Sequence, residues 1–181
     1  MPRSPITPAD IVFLGDSLTE AFNLERHFGL PNLRNRGLSG DTTHQVIYRL
    51  QEIINAKPKK VFLMIGINDL FWGEEEVTVF QNIVKILETI RENSPDTLLY
   101  LQSILPVNET VMFSDEHINL MIFSLNDSLK RWCKKQKVEF LELYGDFLNN
   151  QGEMDRRYTY DGVHLTEEGY ELWAKLTRPC L

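Results

Sequence analysis

Basic charge is scarce in this chain. Its 19 Lys and Arg stand against 26 Asp and Glu, for a net charge of -7, so there is no positive field to neutralise a phosphate backbone and nucleic acid is a poor partner. The one dense basic cluster, Lys130 to Lys137, falls on a helical pattern. Long hydrophobic runs are missing as well. A stretch such as Val61 to Ile65 is far shorter than the ~20 residues that span a bilayer, so no membrane span is expected. Met1 to Asp10 holds three prolines and no apolar core segment, unlike a signal peptide. Only two cysteines occur, Cys133 and Cys180, without metal-type spacing, and two thiols do not make a disulfide framework. The expected setting is cytoplasmic, with both thiols reduced. No repeat, linker or low-complexity stretch interrupts the sequence.

What is present suits one globular domain over residues 1–181, since hydrophobic residues make up 43% and charged residues 25%, and a chain of this length buries about 70% of its unfolded surface. Segments at Ile11 to Leu14, Lys60 to Ile65, Thr97 to Leu105 and Val138 to Leu143, with a short extended piece around Leu33 to Arg36, read as strands. Between and after them, helical spacing marks Leu18 to Phe28, Val46 to Ile54, Val77 to Ile90, Ile118 to Trp132 and Glu167 to Leu176, with Asp41, Thr42 or Thr43 available to cap the second helix. Strands alternating with helices predict an α/β fold, a three-layer α/β/α sandwich on a five-stranded parallel sheet. In the flavodoxin-like order 2-1-3-4-5, a crevice opens at the carboxyl ends of strands 1 and 3. Two long connections stand out, Pro106 to Glu116 and Tyr144 to Thr166, and long loops in compact domains are usually functional.

Four short segments carry chemistry: Gly15-Asp16-Ser17-Leu18, Ser39-Gly40-Asp41, Gly66-Ile67-Asn68-Asp69 and Asp161-Gly162-Val163-His164. The first three follow strands, so they converge at one sheet edge, and residues 144 to 164 are long enough to return the fourth. Acyl transfer needs a nucleophile, a base, an orienter for that base and donors aimed at the developing oxyanion. Ser17 fits the nucleophile, His164 the base, and Asp161 the orienter if the segment makes one helical turn. The backbone N–H groups of Ser17 and Gly40 and the side-chain amide of Asn68 fit the oxyanion hole. Asp16 and Asp69 read as supporting residues that hold the turns carrying Ser17 and Asn68. Phe71 and Trp72 either line a substrate pocket or pack under a loop.

The same blocks, Val12-Phe13-Leu14-Gly15-Asp16-Ser17-Leu18, Asn35-Arg36-Gly37-Leu38-Ser39-Gly40-Asp41-Thr42-Thr43, Gly66-Ile67-Asn68-Asp69 and Asp161-Gly162-Val163-His164-Leu165, resemble those of the SGNH/GDSL hydrolase family, in which Ser, Gly, Asn and His hold these places in this order. Gly40 to Val46 also looks like the branch containing the catalytic subunits of intracellular platelet-activating-factor acetylhydrolase. The resemblance covers nearly the whole chain and implies cleavage of acyl esters or thioesters, deacetylation of carbohydrates or acyl transfer, with no metal and no organic cofactor.

Rival readings are weaker. Ser39 lies in Gly37-Leu38-Ser39-Gly40-Asp41, where Asp41 replaces the last glycine of a G-x-S-x-G elbow. Asp115-Glu116-His117 lacks companion ligand motifs, and His27, His44 and His117 have structural or surface roles. A flavodoxin-like nucleotide- or phosphate-binding module would need neither Asp161 nor His164, and the chain has neither a P-loop nor a G-x-G-x-x-G. A silent interaction protein would not need every catalytic position filled. The expected function is a serine esterase for small acyl esters, acetyl to butyryl, because a single medium loop offers little material for a deep acyl tunnel. An acyltransferase using the same acyl-enzyme is the alternative, and assembly into a homo-oligomer is open.

Overall fold

A computed structural model describes residues 4–112 and 117–181. In chain order the elements are β1 (Ile11–Gly15), α1 (Ser17–Glu20), α2 (Leu24–Phe28), β2 (Leu33–Gly37), α3 (Thr43–Tyr48), α4 (Gln51–Ala56), β3 (Lys60–Met64), α5 (Ile67–Phe71), α6 (Glu76–Asn93), β4 (Leu98–Gln102), α7 (Glu109–Met112), α8 (Ile118–Gln136), β5 (Glu139–Leu141) and α9 (Glu167–Thr177), with 3₁₀ turns at Tyr144–Phe147 and Arg178–Cys180. The five strands form one parallel sheet in the order β2-β1-β3-β4-β5, as the alternation predicts. Gly15 stands opposite both Gly37 and Met64, so β1, β2 and β3 release their chains at one level.

The central strands β1 and β3 are buried on both faces, which is why they read as nearly unbroken apolar runs. Val12, Leu14, Val61 and Leu63 face a cluster built with Val46, Ile83, Ile86, Ile122 and Leu125 from α3, α6 and α8. Ile11, Phe13, Phe62 and Met64 face the opposite cluster with Phe22, Phe28 and Trp173. On that side Phe13 stacks on Phe62 at 4.9 Å between ring centroids, and Phe62 on Tyr100 at 4.5 Å. Phe13 and Phe62 are both fully buried, and each such ring, taken from water into the core, is worth ~1.5–3 kcal/mol. Among the described residues no helix is long and apolar enough to cross a membrane.

Several element boundaries differ from the periodicity. The helix expected over Leu18 to Phe28 is two, because Asn23 caps a fresh start by accepting from Arg26 N at 3.0 Å. Asn35 of β2 takes up carbonyls at the end of α1, donating to Thr19 O at 2.6 Å and Phe22 O at 3.0 Å. The second helix also divides, into α3 and α4, with Thr42 as the N-cap and Gln45 Oε1 accepting from its backbone N–H at 2.6 Å. Strand 4 stops at Gln102 rather than Leu105. Beyond it, asparagines on α8 replace a neighbouring strand: Asn126 bonds both polar groups of Ile104, and Asn119 both of Val107, at 2.8–2.9 Å. The last strand is likewise shorter than expected, Glu139–Leu141, and α5 forms where no helix is predicted.

Candidate active site

At the end of β1 the chain turns directly into α1. Asp16 makes that turn as an N-cap, its Oδ1 accepting from Leu18 N at 3.0 Å, and Ser17 follows as the first helical residue, half-buried. The Ser17 hydroxyl lies 3.1 Å from His164 Nε2, although the two residues are 147 positions apart. The other ring nitrogen, Nδ1, lies 2.6 Å from Asp161 Oδ2. A carboxylate there accepts, which sets Nδ1 as the protonated nitrogen and leaves Nε2 to face the serine as an acceptor.

Residues 161–164 do not make the helical turn expected of them. Asp161 Oδ1 itself closes the segment, accepting from Val163 N at 2.9 Å and His164 N at 2.7 Å, and Gly162 takes φ +100, a region closed to most residues with a Cβ. Burial works to raise the Asp161 pKa, but the hydrogen bonds from the His164 ring and from the Val163 and His164 N–H groups outweigh it, and the carboxyl is held below its usual value. It is ionised at neutral pH. Asp16 goes the other way. It is 1% exposed, and burial pushes it up to about 7 against the opposing Leu18 N–H bond and the nearby His164.

The first part of the Pro106 to Glu116 connection braces the histidine segment. Asn108 N donates to Gly162 O at 2.8 Å and Asn108 Nδ2 to Met154 O at 2.7 Å. Residues 113–116 of that connection lie outside the described residues, as do Asp115 and Glu116 of the acidic cluster weighed above. Among the described residues no group of three His, Cys, Asp or Glu side chains is placed to hold a metal ion.

Gly40, at φ +81, sits in the exposed loop after β2. A side chain at that φ is strained. Asn68 stands in α5 at the end of β3, and its Nδ2 donates to Asp41 O at 2.9 Å. A primary amide nitrogen carries a second N–H beyond that one. Asp69, 2% exposed, accepts from Thr43 N at 2.9 Å and Thr43 Oγ1 at 2.5 Å, pinning α5 to the start of α3. Burial raises its pKa against those bonds. Phe71 packs partly buried against the core, while Trp72 is 75% exposed.

The rival serine is placed elsewhere: Ser39 donates its hydroxyl to the Glu20 carboxylate. His27 packs against the Phe22 and Tyr170 rings, His44 Nδ1 lies 3.3 Å from Asn82 Nδ2, and His117 precedes α8. Two residues that the sequence reading missed join the site. Tyr160 stacks on the His164 ring at 6.0 Å and 17° between planes. Arg49 donates to Asp41 Oδ2 at 2.6 Å, to Gly15 O at 3.0 Å and to Arg36 O at 2.9 Å. The signal for Tyr160 was its place directly before Asp161. Arg49 left only a lone cation among the apolar positions Val46, Leu50 and Ile53, and a charge on a helix usually means solvent.

Comparison with known proteins places the chain in a wider group. The model of the GDSL-like lipase/acylhydrolase family matches residues 13–172. Human platelet-activating factor acetylhydrolase IB subunit alpha2 is 29% identical over 177 residues, covering 94% of this chain and 73% of that protein. N-acylneuraminate cytidylyltransferase of Streptococcus agalactiae is 27% identical over 164 residues, and the match takes in 91% of this chain but 37% of that protein. A solved GDSL-like lipase from Bacteroides thetaiotaomicron superposes with a TM-score of 0.86 at 27% identity, covering 96% of this chain and 87% of that one.

Proposed function

The chain belongs to the GDSL-like lipase/acylhydrolase family, and from that premise we propose that it is a serine esterase acting on small acyl esters, acetyl to butyryl, through Ser17, His164 and Asp161. The observation that carries the reading is the continuous relay of 3.1 and 2.6 Å from the Ser17 hydroxyl through the imidazole to the Asp161 carboxylate. In acylation His164 Nε2 takes the hydroxyl proton as Ser17 Oγ bonds to the ester carbonyl carbon. The carbonyl oxygen becomes an oxyanion, received by the N–H groups of Ser17 and Gly40 and the free hydrogen of Asn68 Nδ2. As the tetrahedral centre collapses, the C–O bond to the leaving group breaks and the imidazolium protonates the departing alkoxide. Water then repeats the sequence on the acyl-enzyme and frees the acid. Asp161, held ionised by its own hydrogen bonds, keeps the ring in one tautomer and stabilises the imidazolium.

Short acyl groups are supported by the acetylhydrolase name of the mammalian relatives. Cytidylyl transfer is not carried over, because the match to that relative takes in 37% of its length. A cytoplasmic setting is part of the proposal and agrees with two unpaired cysteines. Treatment with a fluorophosphonate tests the mechanism: covalent labelling at Ser17, found by peptide mass mapping and abolished in Ser17→Ala, is the expected result, and labelling at Ser39 would refute the assignment.

A further inference from the structure

Arg49 touches, directly or at one remove, every strand end that carries an oxyanion donor. Its guanidinium donates to Gly15 O, two residues before Ser17, and to Arg36 O at the end of β2, where the Gly40 loop begins. The same group holds the Asp41 carboxylate at 2.6 Å. Asp41 is the residue after Gly40, and its backbone carbonyl accepts from Asn68 Nδ2 at 2.9 Å. The side chain is 20% exposed and that of Asp41 11%, so the pair is screened little by solvent. A planar fork with five N–H donors suits this three-way junction, whereas an ammonium is a single point charge.

We propose that Arg49 is a positioning residue for the oxyanion hole. By fixing Asp41 between the ends of β1 and β2, it sets the direction of the Gly40 N–H and orients the Asn68 amide so that its second hydrogen faces the carbonyl oxygen of the ester. The inference rests on the esterase reading above. Donors of this kind act chiefly on the charge that develops in the transition state, so loosening them lowers turnover more than it weakens substrate binding.

The test is steady-state hydrolysis of an aryl acetate by Arg49→Gln and Arg49→Lys, each made with Asn68 intact and with Asn68→Ala, alongside thermal unfolding of every variant. With Asn68 present, Arg49→Gln should lower kcat by about 10- to 100-fold while KM changes by less than about 3-fold, and Arg49→Lys should fall between it and the unaltered protein. With Asn68→Ala, the further loss from Arg49→Gln should shrink to about 3-fold or less, because much of its effect passes through an amide no longer there. Unchanged turnover in Arg49→Gln, or the same fold-loss in both backgrounds, would overturn the proposal. So would loss of cooperative unfolding in both Arg49 variants, which would make Arg49 a residue of folding alone. If the fluorophosphonate fails to label Ser17 in the unaltered protein, the esterase reading falls and this inference with it; labelled Ser17 with unchanged turnover in Arg49→Gln sinks the Arg49 inference only.

Discussion

Replacing Asp16 by Asn should stabilise the protein at alkaline pH and leave it unchanged in acid. Asp16 is buried to 1% exposure, and its pKa rises from 3.8 to about 7, with burial the largest cause, Asp41 adding to it, and the Leu18 N–H and His164 opposing it. A carboxyl raised in this way keeps its proton in the folded state over a window where the unfolded chain has released it. Below about pH 4 both states are protonated and the group costs nothing; between pH 4 and 7 the cost grows; above 7 it is constant. At ~1.4 kcal/mol per pH unit, the full displacement amounts to roughly 4 kcal/mol of lost stability at pH 8. Asn has the same shape, retains an oxygen to accept from Leu18 N, and carries no charge. Urea unfolding of both proteins at pH 4.5, 6, 7 and 8 reads the difference directly, and titrations common to both largely cancel. The gap should be small at pH 4.5 and widen toward several kcal/mol at pH 8. A gap that stays constant with pH, or an Asn variant less stable at pH 8, would refute the argument and show that the buried carboxylate is compensated.

Ser17→Ala and His164→Ala should each lose kcat by several orders of magnitude, with the double variant little worse than either, since they act as one unit; additive losses would argue against a relay. Asn68→Ala should lower kcat by about 10²- to 10³-fold with a smaller change in KM, and a normal kcat with raised KM would reassign the amide to substrate binding. Across aryl esters of increasing acyl length, kcat/KM should peak between acetyl and butyryl and fall by octanoyl. Each buried CH₂ is worth ~0.8 kcal/mol, so a steady rise through dodecanoyl would reveal a long apolar channel instead.

The central strands were legible because a strand covered on both faces writes itself as a nearly continuous apolar run, as at Ile11 to Leu14 and Lys60 to Ile65. Their ends were less so. Where α1 stops depends on Asn35, which comes from the next strand to take the Thr19 and Phe22 carbonyls. Strand 4 gives way after Gln102 because Asn119 and Asn126, on a helix well downstream, bond the backbone that a further strand would have paired. Periodicity reports which side of an element is apolar. It does not report a polar side chain standing in for a ladder hydrogen bond.

By itself the sequence singled out Ser17, Gly40 and Asn68 as candidates and predicted that three strand ends release them at one sheet edge, because a strand run followed by Gly, Asp, Ser or Asn is a local signal readable without knowing what lies nearby. Only the tertiary structure decided that His164 closes onto Ser17 across 147 positions, that Asp161 reaches the ring by capping its own segment rather than by a helical turn, and that Arg49 faces inward at the junction of two strands. Those contacts depend on strand register and on the path of a long return loop. Both are settled by packing the two faces of the sheet at once, and neither leaves a mark on the residues beside them in the chain.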